Sequence, residues 1–245
     1  MQSELNWRVF PVQELTETHI ARMYELMCSH YDAMTRDNFV SDLLKKNWVS
    51  VLTDTEGLIC GFSTIALNPN DTGGEDYNIF FSGDTIIDQA HWGTQSLTKA
   101  QAYTFGSILA KYPDKKLYWY LMSKGHRTYM YLPLFFKKYY PAQDKTNEDD
   151  VFGLVDRVSR ILFGADWKPD LGVILYEKPK DRLKSDLAQG SMQKKHKPQV
   201  QFFLEKNPGY ERGDELVCMA NVHPENMKRL AKAFVEEGLK NPLSL

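Results

Sequence analysis

The chain has 245 residues and a formal net charge of −2, with 42% hydrophobic and 25% charged residues. This ordinary composition excludes a disordered chain, and the near-neutral charge supplies no overall basic field for nucleic acid. The length fits one elaborated domain, or a domain of about 150 residues with an extension, which we favour.

The cysteines and the apolar runs exclude further classes of protein. Cys28, Cys60 and Cys218 are far apart and form no CxxC motif, which argues against a structural metal or a disulfide framework. The first residues lack a basic stretch followed by an apolar run, and no segment approaches the roughly 18 apolar residues of a membrane span. We therefore expect no metal, no membrane span and a cytoplasmic location. The basic run 194–197 is more typical of a solvated loop than of a nucleic-acid site.

The first predicted elements are one strand, two helices and a hairpin. Residues 8–12 form a short strand, and apolar residues then recur at helical spacing over 20–31. Thr35 can cap a second helix that carries Phe39 and Leu43 on one face. Two strands follow, at 48–52 and 58–67, joined by the turn sequence Asp-Thr-Glu-Gly.

A long strand, a helix, a buried strand and another helix come next. The fourth strand runs over 77–87, and Gly83 within it suggests a bulge or a close approach. A helix with one apolar face covers 97–109, and 117–122 reads as a buried strand. The helix predicted over 127–140 should be kinked by one proline and ended by another. The order is β-α-α-β-β-β-α-β-α.

The polar segment 143–150 suggests a boundary between residues 1–142 and an extension of residues 143–245. We expect the extension to complete or cover a site. Its predicted elements are a helix at 151–163, strands at 172–177, 199–204 and 215–220, a mobile segment at 185–198 and a helix at 224–239.

This order resembles that of the GNAT superfamily of acyl-CoA-dependent N-acyltransferases over residues 7–141. The best local match is the segment 54–62, DTEGLICGF, which looks like the hairpin of the family's second and third strands, with its polar turn and Gly-aromatic pair. The resemblance implies an α/β (α+β) fold with a mixed, mostly antiparallel sheet flanked by helices, followed by a C-terminal α/β extension. It also implies transfer of an acyl group from a CoA or acyl-carrier thioester to a small-molecule amine.

The resemblance places donor binding at the end of the fourth strand and the start of the next helix. Free backbone N–H groups and the helix dipole favour a diphosphate there, and a pantetheine arm can lie along the strand. The implied residues are Ile86, Ile87, Trp92, Gly93, Thr94, Gln95, Ser96 and Leu97. The family's loop has a basic or amide residue and small residues where this chain has Trp92, Gln95 and Leu97. The missing glycines leave open CoA, a shorter donor, a carrier-bound phosphopantetheine or no donor.

Catalytic candidates follow from the same resemblance. Phe135 occupies the position of the family's proton-donating tyrosine, so Tyr131 is our candidate acid, with Tyr129 and water as alternatives. For the base that deprotonates the amine we select Asp84 and His91.

Two questions stay open in the sequence. The aromatic residues over 117–140 could line a tunnel for a long acyl chain or form an ordinary core. The alternative function is a GNAT-fold small-molecule-binding or regulatory protein without catalysis. A gap between the fourth and fifth strands filled by Trp92 or Tyr118 would favour it. Coincidental element order in another α/β family is a third interpretation.

Overall fold

The structure is a computed structural model that describes residues 4–177, 182–184 and 193–245. One sheet of eight strands forms its centre. The strands are β1 (Asn6–Pro11), β2 (Trp48–Thr53), β3 (Ile59–Leu67), β4 (Tyr77–Ile87), β5 (Lys116–Ser123), β6 (Trp167–Lys168), β7 (Val173–Ile174) and β8 (Glu215–Asn221). Their order across the sheet is β1-β2-β3-β4-β5-β8-β7-β6. Only the β4–β5 pair of this sheet is parallel.

Helices pack on both faces of the sheet. They are α1 (Glu17–His30), α2 (Arg36–Leu43), α3 (Ser96–Lys111), α4 (His126–Tyr129), α5 (Tyr131–Phe135), α6 (Phe152–Phe163), α7 (Pro198–Lys206) and α8 (Arg229–Lys240). Consecutive residues of β4 enter opposite cores because side chains alternate along a strand. Phe80 meets Phe105 of α3 at 4.8 Å between ring centroids, and Phe81 stacks on Tyr120 at 5.9 Å in the core beside α6. The predicted fold class is confirmed.

Local hydrogen bonds form at a helix cap and a turn that the sequence predicts. Thr35 accepts a hydrogen bond from the Asn38 N–H at 3.3 Å and caps α2. Asp54 Oδ1 accepts from the Glu56 and Leu58 N–H groups, each at 2.9 Å, in the turn between β2 and β3. The predicted cap and hairpin are both confirmed.

The β4 strand carries the bulge expected at Gly83. Ser63 pairs with Thr85 and Ile65 pairs with Ser82, so Gly83 and Asp84 together oppose Thr64. A Cβ atom on Gly83 would lie 2.6 Å from Thr64 Oγ1. The glycine therefore permits both the bulge and the close approach.

Parallel pairing between β4 and β5 ends before β4 does. The last pair is Ser82 with Leu121, whereas the pairing of β4 with β3 continues to Ile87 opposite Gly61. The two strands therefore separate beyond the bulge. This separation positions the cavity described below.

The prediction of one helix over 127–140 is wrong in its second half. Two short helices, α4 and α5, end at Phe135. Beyond them the Lys137 N–H donates to the Asn226 carbonyl at 2.8 Å, and Tyr140 forms a bridge with Met219. The backbone of residues 136–140 forms hydrogen bonds with the C-terminal part of the chain. These bonds replace the ones that a longer helix would form.

The extension contains a second error. Residues 199–204 were predicted as a strand but lie in α7, where Pro198 takes the first helical position and Val200 and Phe203 are buried one turn apart. The predicted helix at 151–163 and strand at 215–220 are confirmed as α6 and β8. The strand expected at 172–177 contracts to β7, and the helix expected from 224 begins at Arg229. Residues 185–192 of the predicted mobile segment lie outside the described residues.

The extension contributes strands to the same sheet. Residues 216–221 of β8 pair antiparallel with β5, so residues of the extension complete the sheet beside the parallel pair. A separate two-residue pair joins Tyr31–Asp32 to Arg182–Leu183. The division at 142 stays a prediction. Within the described ranges, no helix is long and apolar enough to cross a membrane.

Candidate active site

A cavity of about 760 Å³ opens where β4 and β5 separate. Its walls come from the end of β4, the loop before α3, helix α4 with the start of α5, the α1–α2 region and parts of the extension. Apolar residues among them include Met34, Phe81, Ile86, Met122, Met130, Leu134, Phe163 and Leu183. A volume of this size matches the roughly 300–1,000 Å³ of small-molecule sites. The gap between the fourth and fifth strands is therefore open.

Most of the predicted site residues meet at this cavity. Those that line it are Asp84, Ile86, Ile87, Trp92, Gly93, Thr94, Gln95 and Tyr131. His91 ends a short turn after β4 and lies outside the cavity lining. Ser96 and Leu97 are buried in the first turn of α3, and Leu97 belongs to a core cluster with Leu52 and Cys60. The functional roles of all these residues stay predictions.

The loop before α3 uses several of its own polar groups. Thr94 Oγ1 accepts a hydrogen bond from the Ser96 N–H at 3.2 Å and donates to the Ser96 hydroxyl at 3.1 Å. Gly93 has a φ of +98°, which is the left-handed region that favours glycine. Asp88 caps the preceding turn through the Ala90 N–H at 3.0 Å. Thr94 of the loop therefore caps the first N–H group of α3, that of Ser96. The N–H groups of the residues that follow Ser96 are those available to an anion.

Trp92 joins this loop to two other elements. Its indole N–H donates to the Ile87 carbonyl at 2.9 Å, at the end of β4. The guanidinium of Arg127, from α4, lies 3.7 Å from the centroid of its ring. Trp92 forms part of the cavity wall and leaves the cavity open, while Tyr118 packs on Tyr77 at 6.0 Å and lies outside the cavity lining.

A lysine that the sequence analysis missed lies beside the bulge. Lys46 is only 8% exposed in its side chain, and its Nζ is 2.8 Å from Asp42 and 5.1 Å from the centroid of the Phe81 ring. Its Cε is 3.1 Å from the position that a Cβ of Gly83 would take. The cavity thus has an ammonium group next to the residue that precedes Asp84. In sequence, Lys46 is one of two lysines after a helix and gives no signal of this placement.

The tyrosines of the α4–α5 region divide between cavity and core. Tyr131 lines the cavity and packs on Phe135 at 5.5 Å, and burial raises its pKa to about 12. Its phenol is therefore protonated at neutral pH. Tyr129 is fully buried and donates to the Pro141 carbonyl at 3.0 Å. Phe135 is also a core residue, stacked on Trp119 at 6.2 Å.

The aromatic run mostly forms an ordinary core. Tyr131 is the one aromatic residue from 117–140 in the cavity lining described here. The others that are buried belong to two core clusters: Trp119, Tyr120, Tyr129, Phe135, Phe136 and Tyr139. Residues 117–140 therefore do not form an aromatic tunnel.

An ion pair between the residue after β5 and the first residue of β8 lines the cavity. Lys124 Nζ lies 3.5 Å from Glu215 Oε1, with side chains that are 17% and 8% exposed. Lys124 also lies over the Tyr31 ring at 5.4 Å from its centroid. Both charged residues line the cavity. Sequence analysis missed Glu215, although a carboxylate at the start of an apolar strand is a signal worth testing.

Two of the four residues of the basic run 194–197 line the cavity. Lys195, His196 and Lys197 are exposed, as expected of a solvated loop, and Lys194 is half-buried; Lys194 and Lys197 also line the cavity. His126, which is 5% exposed, has its pKa lowered to about 4 by burial and by the charges of Arg127, Lys194 and Lys197. His126 is therefore neutral at pH 7 and adds no charge to this wall. Across the described ranges, no group of three or more His, Cys, Asp or Glu side chains could hold a metal ion.

Comparison with known proteins found similar chains among solved structures. No protein-family model and no curated protein sequence matches the chain. Among solved structures it is similar to Escherichia coli ElaA, with 15% identity over 60% of this chain and 94% of that chain, and a TM-score of 0.39. It is also similar to YhbS from Escherichia coli, a GNAT family N-acetyltransferase in complex with CoA. There the identity is 16% over 54% of this chain and 68% of that chain, with a TM-score of 0.37.

The topology of the chain itself decides its fold type. One strand, two helices, a hairpin and a long strand lead into α3, and β5 then returns parallel to β4 and separates from it. This is the order that the sequence resemblance implied. The chain has a divergent GNAT-like fold.

Proposed function

We propose that this chain is an N-acyltransferase that moves an acyl group from a thioester to an amine. The observation that carries the proposal is the separation of β4 from β5 beyond the Ser82–Leu121 pair. One edge of β4 then faces the cavity over residues 83–87, and an extended pantetheine arm can pair with such an edge as an added strand. The thioester would then lie near the bulge.

The mechanism that this geometry supports is direct attack by the amine. Asp84 takes a proton from the amine, directly or through water, and the nitrogen attacks the thioester carbonyl. A β4 backbone N–H and the Lys46 ammonium stabilise the negative charge on the oxygen. The C–S bond then breaks, Tyr131 gives its proton to the departing sulfur, and the second proton of the nitrogen, passed on through water, restores the Tyr131 phenol. Tyr131 suits this step because its raised pKa keeps the phenol protonated. Asp84 is preferred over His91 as the base because it lines the cavity.

The donor and acceptor belong to the same proposal. We take acyl-CoA as the donor, with an acyl-phosphopantetheine on a carrier protein as the other option. The acceptor is a small amine whose positive charge would be attracted by Asp84 and Glu215 before deprotonation. The apolar side chains of Met34, Met122 and Leu134 offer a surface for the acyl chain.

Binding without catalysis is the second candidate. It is favoured by the buried position of Phe135, where the family's acid would stand, and by the absence of the loop glycines in the sequence. Both candidate functions predict that a ligand binds, but only acyl transfer predicts turnover. One set of binding and activity measurements therefore separates them.

The test uses calorimetric titration of the whole chain with acetyl-CoA, palmitoyl-CoA and an acyl carrier protein, followed by thiol-release assays with a panel of amines. Binding with amine-dependent thiol release, lost in Asp84→Asn and retained in Tyr118→Phe, supports acyl transfer. Binding without thiol release from any amine supports the second candidate. If none of the donors binds, the acyltransferase proposal is wrong.

A further inference from the structure

We propose that Arg127, Lys194 and Lys197 form a binding site for a phosphate group carried by a ligand of this cavity. The inference rests on the proposed function, because it concerns a ligand of the same cavity. It adds three cationic residues that the resemblance to GNAT proteins does not supply. Arg127 comes from α4, whereas Lys194 and Lys197 come from the extension.

The first step is the distribution of charge around the cavity. Of the lysines in its lining, Lys46 pairs with Asp42 and Lys124 pairs with Glu215. Arg127, Lys194 and Lys197 form no salt bridge with any carboxylate in the described part of the chain. Among the described residues, the cavity thus has two lysines paired with carboxylates and, apart from Lys45, a group of three cations without a carboxylate partner.

The second step is that these cations lie close enough to repel one another. Burial lowers the pKa of Lys194, and the charges of Arg127 and Lys197 lower it further. Burial also lowers the pKa of Arg127. Bringing like charges together while removing water costs free energy, and an anion placed between them would recover it.

The third step is the local scaffold. Lys197 is the residue before α7, and Val200 in the first turn of that helix also lines the cavity, so the positive end of the α7 dipole is directed at the same wall. The Trp92 ring holds the Arg127 guanidinium in place. A planar guanidinium, two ammonium groups and a helix start make a set of donors that suits phosphate oxygens better than a single carboxylate.

Two ligands could bring the phosphate. One is the nucleotide end of the thioester donor, since Arg127 packs on Trp92 in the loop before α3, where the resemblance implies donor binding. The other is an acceptor that carries both an amine and a phosphate. Pyrophosphate is the probe for the shared chemistry, and CoA distinguishes the two sources.

The experiment measures pyrophosphate binding by calorimetry at low ionic strength, in the wild-type chain and in Arg127→Gln, Lys194→Gln and Lys197→Gln. Each variant should bind about tenfold more weakly, because one charge-assisted contact is removed. Lys195→Gln is the matched control, since Lys195 is exposed in the same run and outside the cavity lining, and it should bind as the wild type. Added salt should weaken binding to the wild type.

Competition then identifies the source. If saturating CoA abolishes pyrophosphate binding, the phosphate is that of the donor. If pyrophosphate still binds in the presence of saturating CoA, and Lys194→Gln still weakens that binding, the phosphate belongs to the acceptor. A thermal shift checks folding, because Lys194→Gln removes a repulsive charge and should not lower the Tm.

The outcomes separate this inference from the proposed function. Wild-type pyrophosphate affinity in all three variants, or no binding to the wild type, overturns the phosphate site even if the chain catalyses acyl transfer. Weaker pyrophosphate binding in the three variants upholds the site even if no amine is acylated, in which case the proposed reaction alone is wrong.

Discussion

The guanidinium of Arg127 lies 3.7 Å from the centroid of the Trp92 ring. In the GNAT loop that this sequence resembles, a basic or amide residue stands where this chain has Trp92. The structure brings a positive charge to the same place from α4 and holds it on the face of the indole. Removing the ring therefore tests whether the loop depends on this arrangement.

Trp92→Leu removes the cation–π contact and the hydrogen bond to the Ile87 carbonyl. We expect the free energy of unfolding to fall by about 1–2 kcal/mol, measured by urea denaturation. Pyrophosphate affinity should also fall, because Arg127 loses its support. Trp92→Phe keeps an aromatic face and should retain most of that affinity. Equal affinity in Trp92→Leu and the wild type would show that the ring does not position Arg127.

Asp84→Asn tests the proposed base. The variant keeps the shape of the side chain but cannot take a proton, so kcat for acyl transfer should fall by about a hundredfold or more, with a smaller change in KM. The control is Asp88→Asn, whose carbonyl oxygen can still cap the turn at Ala90 and whose residue lies outside the cavity lining. Comparable kcat values in the two variants would remove Asp84 from the mechanism.

Tyr131→Phe tests the proposed proton donor through the leaving group. With an alkyl thioester, kcat should fall by roughly tenfold or more, because the sulfur leaves without a proton. With an aryl thioester, whose thiolate is stable unprotonated, the defect should nearly vanish. A defect of equal size with both donors would assign Tyr131 a packing role instead. Because its pKa is raised to about 12, Tyr131 should cause no loss of kcat in the wild type below about pH 10.

The lowered pKa of His126 should make the free energy of unfolding depend on pH. Its pKa is lowered to about 4 in the folded chain, whereas an unfolded histidine titrates near about 6.5. As the pH falls from about 6.5 towards 4, the unfolded chain gains a proton that the folded chain does not, so the free energy of unfolding decreases. We expect this residue to account for a loss of about 2 kcal/mol, allowing for solvent screening.

Urea unfolding at about pH 7 and about pH 4.5 measures this dependence. Other groups also titrate in this range, so the comparison is between variants. His126→Asn should lose less stability than the wild type on acidification, whereas the exposed His196→Asn should lose the same amount. Identical losses in all three chains would contradict the assignment.

Gly83→Ala tests the bulge of β4. The added methyl group would lie 2.6 Å from Thr64 Oγ1 and 3.1 Å from Lys46 Cε, so either the strand or Lys46 must move. We expect a loss of about 1–3 kcal/mol in the free energy of unfolding, and a lower kcat because Asp84 and Lys46 are displaced.

Gly153→Ala is the matched control for that variant. Gly153 lies in α6 with open space around the position of a Cβ atom. Alanine there should leave stability unchanged or raise it by up to about 1 kcal/mol, because glycine weakens a helix. Equal stabilities of the two alanine variants would mean that the bulge tolerates a side chain.

The N-terminal part of the fold was largely predictable from the sequence. Helical spacing, the capping residue Thr35, the turn at Asp54 and the lone glycine of β4 act over a few residues, and all four appear as expected. The errors came where distant parts of the chain compete for the backbone. Residues 136–140 pair with the C-terminal region, and residues 199–204 form a helix whose buried side chains read equally well as a short strand.

The candidate site was likewise predictable only in part. The sequence by itself determined the residues at the end of β4 and in the loop before α3, because a strand followed by a helix brings them together locally. Only the tertiary structure decided which charges surround them. Lys46 and Lys194 come from segments far away in sequence, and their spacing predicts no contact with Trp92 or Asp84. The fold brings these segments to one cavity, and the repulsion that Lys194 feels from Arg127 and Lys197 depends on distance in space alone.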